Sequence, residues 1–306
     1  MTHESTIAEI DRQHVFHPFT PLKSFDLSGP ALTMVSGIGS TLTDAAGNHY
    51  LDAMAGLWCV NVGYSHPAMA DAISDQARRL PFYHAFSGMG TDAPAHLAAR
   101  ISEMAPVPIS RVFFGNSGSD ANDTQVKLVW YYNNVRGLPL KKKIIARKRG
   151  YHGVTVMSGS LTGLKNLHDG FDLPLPMVRH VRPPHRLWER EVGATDDEFV
   201  ATLARELDEF IINEGPETVG AFIAEPVQAA GGVIVPPERY FPAIREVLDR
   251  HDVLLIADEV VTGFGRLGVP FGSEALSIQP DLITVAKGIT SAYIPLSACL
   301  VGPRVW

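Results

Sequence analysis

The sequence predicts a three-layer α/β/α domain built on a mostly parallel sheet. Two observations carry that prediction: strands that are apolar throughout, and amphipathic helical stretches set between them. A strand covered on both faces reads as an unbroken apolar run, whereas a strand with one wet face alternates. From about residue 95 the order is regular. A helix "PAHLAARISEMA" leads to a strand "RVFFG", a helix "ANDTQVKLVWYYNNV" and a strand "KKIIARK"; then come a helix "DDEFVATLARELDEFII", a strand "VGAFIAEP", a helix "ERYFPAIREVLDRH" and the strands "VLLIADEV" and "DLITVAK". Strand and helix in turn indicate a parallel sheet with helices on both faces.

Ahead of this block, residues 1 to about 36 read as irregular, because Pro18, Pro21 and Pro30 break any long helix. The stretch "STLTDAAGNHYLDA" (40 to 53) reads as two short strands around an Asp44 to Asn48 turn. The Pro-rich "PLPMVRHVRPPHRLW" (174 to 188) reads as a fixed surface loop within the domain. There is no internal repeat or low-complexity linker.

Composition narrows the function. At 306 residues and 45% hydrophobic content the chain can bury a sizeable core. The first twenty residues lack the basic start and apolar segment of a signal peptide, and no run approaches the ~18–20 apolar residues of a membrane span, so the expected address is the cytoplasm. Cys59 and Cys299 are too few for a disulfide framework and lack CxxC spacing, so each reads as a small core hydrophobe and no metal site is expected. A net charge of −7 argues against nucleic acid or an anionic membrane as partner. The basic run "KKKIIARKRG" (141 to 150) reads as a solvated strand entrance.

In open parallel sheets ligands bind outside the carboxyl ends of the strands, so those ends are where chemistry should be sought. After "RVFFG", the residues Gly115, Ser117, Gly118 and Ser119 let backbone approach a ligand, and the following helix offers free N–H groups to a phosphate. The plain alternative is a strand-to-helix turn with Ser119 or Asp120 as N-cap. "GMGTDA" (88 to 93) has the shape GxGxxA, but no buried strand leads into it. Asp258 and Glu259 end "VLLIADEV", where a carboxylate could bind metal, accept a proton or hold a ring nitrogen protonated; a cap or a salt bridge would serve as well. Tyr151 and His152 follow another strand, where an aromatic can stack on a planar ligand or simply pack at the rim. Glu225 adds a further acid, which an N-cap or an ion pair would equally explain. Lys287 stands alone at the end of the apolar run in "DLITVAKGIT" (281 to 290), where it either snorkels to water or has a chemical task.

A phosphate cradle, an aromatic plate, a carboxylate and a lysine at strand ends of one sheet form the set that pyridoxal 5′-phosphate requires, since it joins a lysine as a Schiff base and pairs its ring nitrogen with an acid. The sequence resembles the class III pyridoxal-phosphate aminotransferases, and more narrowly the ω-amino acid:pyruvate or amine:pyruvate transaminases. The resemblance runs through "HPFTPLKS", "LDAMAGLWCVNVGYSHP", "FFGNSGSDANDTQVKLVWYYN", "RKRGYHGVT", "FIAEPVQAAGGVIVPP", "LLIADEVVTGFGRLG" and "PDLITVAKGI". It implies the aspartate aminotransferase-like fold, pyridoxal-phosphate fold type I, with residues 1–55 as an N-terminal segment that is part of a small domain and 56–306 forming the large cofactor-binding domain. It implies that Gly118 and Ser119 bind phosphate, Tyr151 stacks on the ring, Asp258 pairs with its nitrogen, Glu225 lies near it and Lys287 is the Schiff-base residue. Phe19, Trp58, Phe86, Tyr151 and Ala230 fall where the family lines its substrate pockets, in part from the neighbouring subunit of a homodimer.

Two departures and one difference in length bear on this. Asp120 replaces the glutamate of the family's "GSEAN" and should still cap the helix. Val261 stands where the ornithine and 4-aminobutyrate branches carry glutamine, which favours the amine:pyruvate branch. The family also continues past the position of Trp306 through a phosphate-binding threonine, a carboxylate-binding arginine and a C-terminal small domain; if 306 residues is the entire molecule, the expectation is weaker cofactor binding, poorer dimerisation or an inactive cofactor binder.

The expected activity is a ping-pong transfer of an amino group from an amine or ω-amino acid to pyruvate or a similar oxo acid. A decarboxylase or aminomutase of the same fold is the near alternative. A serine hydrolase using Ser117 with Asp196 and His251 is the distant one.

Overall fold

In the computed structural model, which describes residues 6–306, the chain through Phe82 forms one unit and Tyr83–Trp306 a second. The first unit opens on two helices where the prolines predict irregular chain. Ile7–His14 starts on a capping box, in which the Thr6 hydroxyl accepts the Glu9 N–H and the Glu9 carboxylate accepts that of Thr6. Leu22–Ser28 begins directly after Pro21. The prolines therefore flank these helices, and a proline at a helix entrance costs no hydrogen bond.

An antiparallel sheet follows, in the order β1 (Met34–Ile38), β2 (Thr41–Asp44), β3 (His49–Leu51). The β2–β3 turn is the one expected: Asp44 Oδ1 accepts the N–H groups of Ala46 and Asn48, and Oδ2 accepts the Tyr50 hydroxyl. After β3 the residues Ala55, Gly56, Leu57 and Trp58 have φ of 48°, 57°, 68° and 62°. This is a left-handed turn, which costs roughly 1–2 kcal/mol at each non-glycine residue. Helix Pro67–Arg79 completes the unit.

The second unit contains β4 (Arg111–Gly115), β5 (Lys143–Arg147), β6 (Val178–Val181), β7 (Val219–Ala224), β8 (Leu254–Asp258), β9 (Leu282–Val285) and β10 (Ser297–Val301). They form one seven-stranded sheet in the order β4-β10-β9-β8-β7-β5-β6. From β9 through β6 all pairs are parallel, as predicted, while β10 is antiparallel to both β4 and β9. Two strands differ from expectation. The stretch 174 to 188 is not all loop, because "VRHV" within it pairs with β5 as the edge strand β6. The short run "SACLV", with no prediction attached to it, supplies β10.

Successive strand residues face opposite sides, which builds the three layers. Ile144, Ala146, Ala221, Ile223, Leu254 and Ile256 pack with Val126 and Val129 of helix Gly118–Val135. Ile145, Phe222 and Leu255 pack with helices Asp196–Glu214 and Tyr240–Arg250 on the other face. Helix Asp92–Met104 adds Ile101 to the cluster around Ile283, Val285 and Leu300. Among the described residues no helix is long and apolar enough to cross a membrane.

Candidate active site

Parallel strands leave their carboxyl ends at one edge of the second unit's sheet, and Asp258 closes β8 at that edge. Its side chain is 3% exposed. A carboxylate so buried needs donors, and it has three: Oδ2 accepts from Asn122 Nδ2 and His152 Nδ1, each at 2.8 Å, and Oδ1 accepts the Val260 N–H at 3.1 Å. Asn122 projects from the helix that follows β4, and one turn further on Gln125 Nε2 donates to the Ile283 carbonyl of β9 at 2.9 Å. These two amides set the helix over the strand ends.

The strand-to-helix turn expected between β4 and that helix is present, with one correction. The N-cap is Ser117, not Ser119 or Asp120. Ser117 has extended backbone, its hydroxyl accepts the Asp120 N–H, and Asp120 at the third helical position accepts the Ser117 N–H at 2.7 Å and that of Asn116 at 2.9 Å. Asp120 therefore completes a capping box despite being shorter than glutamate. Among the described residues, the N–H groups of Gly118 and Ser119 meet no protein acceptor. The surroundings are close. A methyl group on Gly118 would lie 2.9 Å from Val260 Cγ2, and one on Gly153 would lie 2.5 Å from Ser119 Oγ, which accepts the Val154 N–H.

Tyr151 and Glu225 meet at the ends of β5 and β7. The Tyr151 N–H donates to Glu225 Oε1 at 2.9 Å, and the Ala229 N–H to Oε2 at 3.1 Å. Burial, opposed by His152 and reinforced by Asp258, pushes the Glu225 carboxyl up to about 7. Burial followed by the Asp258 charge also raises the Tyr151 phenol. Beneath them lies the fully buried Arg147, whose Nη2 donates to the Glu225 carbonyl and whose guanidinium stands 5.9 and 5.7 Å from the Tyr240 and Phe241 ring centroids.

Lys287 is half-buried and opens a short 3₁₀ turn, Lys287–Ile289, with φ of 46°. β8 and β9 are in register at Asp258 and Thr284, and the Glu259 N–H donates to the Thr284 carbonyl at 2.8 Å. The lysine follows Thr284 by three residues, so its chain leaves the sheet beside Asp258. Among the described residues its ammonium has no hydrogen-bond or ion-pair partner.

The same edge thus holds Gly118, Ser119, Tyr151, Glu225, Asp258 and Lys287. Ala230 is exposed at the tip of the turn that Gln228 and Ile234 bridge, and Phe86 is exposed in the same unit. Phe19 and Trp58 belong to the first unit, both at positive φ. The hydrolase triad is not assembled: Ser117 is a helix cap, Asp196 pairs with Arg190 and His251 with Asp208. Asn122 escaped sequence reasoning and His152 drew no assigned role. The available signal was two amides, Asn122 and Gln125, three apart on a buried helix face shared with Ala121, Val126, Val129 and a third amide, Asn133.

A profile of the class-III aminotransferases matches residues 28–305. The chain belongs to that family. An uncharacterized aminotransferase of Sinorhizobium fredii is 56% identical over 303 residues, covering 98% of this chain and 65% of its own length. A diaminobutyrate–2-oxoglutarate transaminase of Halomonas elongata is 49% identical, with 100% and 66% covered. The crystal structure of an ω-transaminase from Pseudomonas jessenii, in complex with PMP, superposes with a TM-score of 0.97 at 48% identity, over 98% of this chain and 66% of that one. This class-III chain therefore has the fold-type-I architecture and spans about two thirds of the length of the relatives it matches.

Proposed function

We propose that this chain is the cofactor-binding part of a pyridoxal-phosphate-dependent transaminase that moves an amino group from an amine or ω-amino acid to pyruvate or a similar oxo acid. The observation that carries the reading is the β8–β9 register, which sets the donor-held Asp258 carboxylate beside the strand that leads, two residues past its end, to Lys287. The residues present fit the cofactor: two helix N–H groups without protein acceptors for its phosphate, and a buried carboxylate for its ring nitrogen.

When bound, pyridoxal phosphate supplies an electron sink and carries the amino group. Gly118 and Ser119 would hold its phosphate, and Tyr151 would cover a ring face. Asp258, kept in place by Asn122 and His152, would hold a proton on the ring nitrogen. Lys287 Nζ would join the cofactor's aldehyde and, once released, move the substrate proton, a role that supplies about 10²–10⁴ in rate. Phe19, Trp58, Phe86 and Ala230 are proposed as contacts of the amine. A similar solved structure supports a tryptophan in this role: a tryptophan-to-glycine variant of a thermostable ω-transaminase, TM-score 0.96 and 48% identical over 98% of this chain, was engineered for asymmetric synthesis of enantiopure bulky amines. A homodimer is part of the reading, on the likeness to the family, and the cytoplasm is kept as the address that the sequence reading favours.

The test is reconstitution of the chain with pyridoxal phosphate. The expected result is a visible absorption band and formation of amine from alanine plus an aldehyde, both lost in Lys287→Ala. A band unchanged in that variant would remove the lysine assignment.

A further inference from the structure

The turn Ala55–Trp58 is left-handed at four successive residues, of which only Gly56 adopts that conformation freely. Such a run persists only where its surroundings over-determine it. Here the surroundings are Asp52 and Tyr64. Asp52 Oδ1 accepts the Met54 N–H at 3.0 Å, and Oδ2 accepts the Gly56 N–H at 2.6 Å and the Tyr64 hydroxyl at 2.7 Å. Tyr64 is itself fixed, because its backbone exchanges hydrogen bonds of 3.0 and 2.8 Å with Gly39 at the end of the β1–β2 hairpin. A methyl group on Gly56 would lie 3.0 Å from the Tyr64 hydroxyl and 2.8 Å from Val60 Cγ2. The clamped turn ends in Trp58, which is half-buried.

We propose that Asp52 and Tyr64 are positioning residues for choice of amine donor: they lock the left-handed turn and so hold the Trp58 indole in one place. The proposal rests on the reading of Trp58 as a donor contact. An indole on a turn free to relax to right-handed backbone would swing away, and the space it limits would grow. Tyr64 and Asp52 act only through the turn, so neither needs to touch the amine.

Fluorine NMR of the chain labelled with 5-fluorotryptophan tests this, since the four tryptophans give four lines and Trp58→Phe identifies one of them. Tyr64→Phe and Asp52→Asn are expected to shift or broaden the Trp58 line while those of Trp130, Trp188 and Trp306 stay in place. The ratio of kcat/KM for a bulky amine to that for a small one should change about tenfold. A Trp58 line that stays put in both variants overturns the proposal, as does a moved line with an unchanged ratio. A wild-type chain that turns over no amine defeats the transaminase reading and the donor role with it; the fluorine line separates that failure from failure of the clamp.

Discussion

His152 Nδ1 lies 2.8 Å from Asp258 Oδ2, with side chains only 1% and 3% exposed. The pair joins the end of β8 to the segment after β5, and the Asn122 amide reaches the same oxygen from the helix that follows β4. Three separate pieces of chain thus converge on one carboxylate, which fixes its direction as well as its burial.

Removing either donor should destabilise the fold. Asn122→Ala or His152→Ala is expected to cost about 1–3 kcal/mol, because a buried carboxylate loses a partner that water cannot replace. The double variant should cost more than the sum of the two, by about 0.5–3 kcal/mol, since the last side-chain donor is then gone. Urea unfolding of the four proteins measures this, and additive losses would show that the donors act independently.

Gly153 should not tolerate a side chain. Its φ is 137°, and an added methyl group would lie 2.4 Å from Ser158 Oγ and 2.5 Å from Ser119 Oγ. Gly153→Ala is expected to cost about 1–3 kcal/mol and to weaken binding of inorganic phosphate at the cradle by displacing Ser119. A lower urea midpoint at unchanged slope, with phosphate binding by titration calorimetry, checks both effects.

The Glu225 carboxyl, pushed up to about 7 in the folded chain from an ordinary 4.5, should make stability depend on pH. Between those values the unfolded chain releases this proton and the folded chain retains it, so stability falls as pH rises. The contribution is complete below about 4.5 and is lost through about 7, amounting to about 3 kcal/mol. Glu225→Gln should flatten this part of the profile in urea titrations from pH 5 to 8; an equal slope in both proteins would contradict the assignment.

Cys299 is 1% exposed, and burial, with a smaller push from Asp120, raises its thiol to about 12. In Cys59→Ser the native chain should therefore resist alkylation at pH 8 and take one label per chain once unfolded, as counted by mass spectrometry. Labelling of native Cys59→Ser at the rate of the unfolded chain would contradict the burial.

Much of the second unit was legible because its strands are buried on both faces. Ile256 and Leu255 serve opposite layers, so both faces of the strand are apolar, and the pattern survives without a partner in view. β6 and β10 were not legible for a related reason. "VRHV" lies at a sheet edge between prolines, and "SACLV" is too mixed in composition to stand out until a neighbour pairs with it. The site divides in the same way. Lys287 and Asp258 stand out as charges after apolar runs, whereas Asn122 is an ordinary polar letter in a helix until its target is known. The first unit's helices were hidden by prolines, whose effect reverses between a helix interior and its entrance.

The place of β10 has a consequence for how the chain acquires its shape. Arg111 pairs with Val301, so the strand made first in this sheet is the neighbour of the strand made last. On a ribosome, β4 would emerge with its ladder groups unmatched and wait while every intervening strand is synthesised. Assembly of that end of the sheet is therefore a late event that closes a long loop, and the waiting strand, with Phe113 exposed even in the finished fold, is where a chaperone or an unwanted neighbour would find purchase.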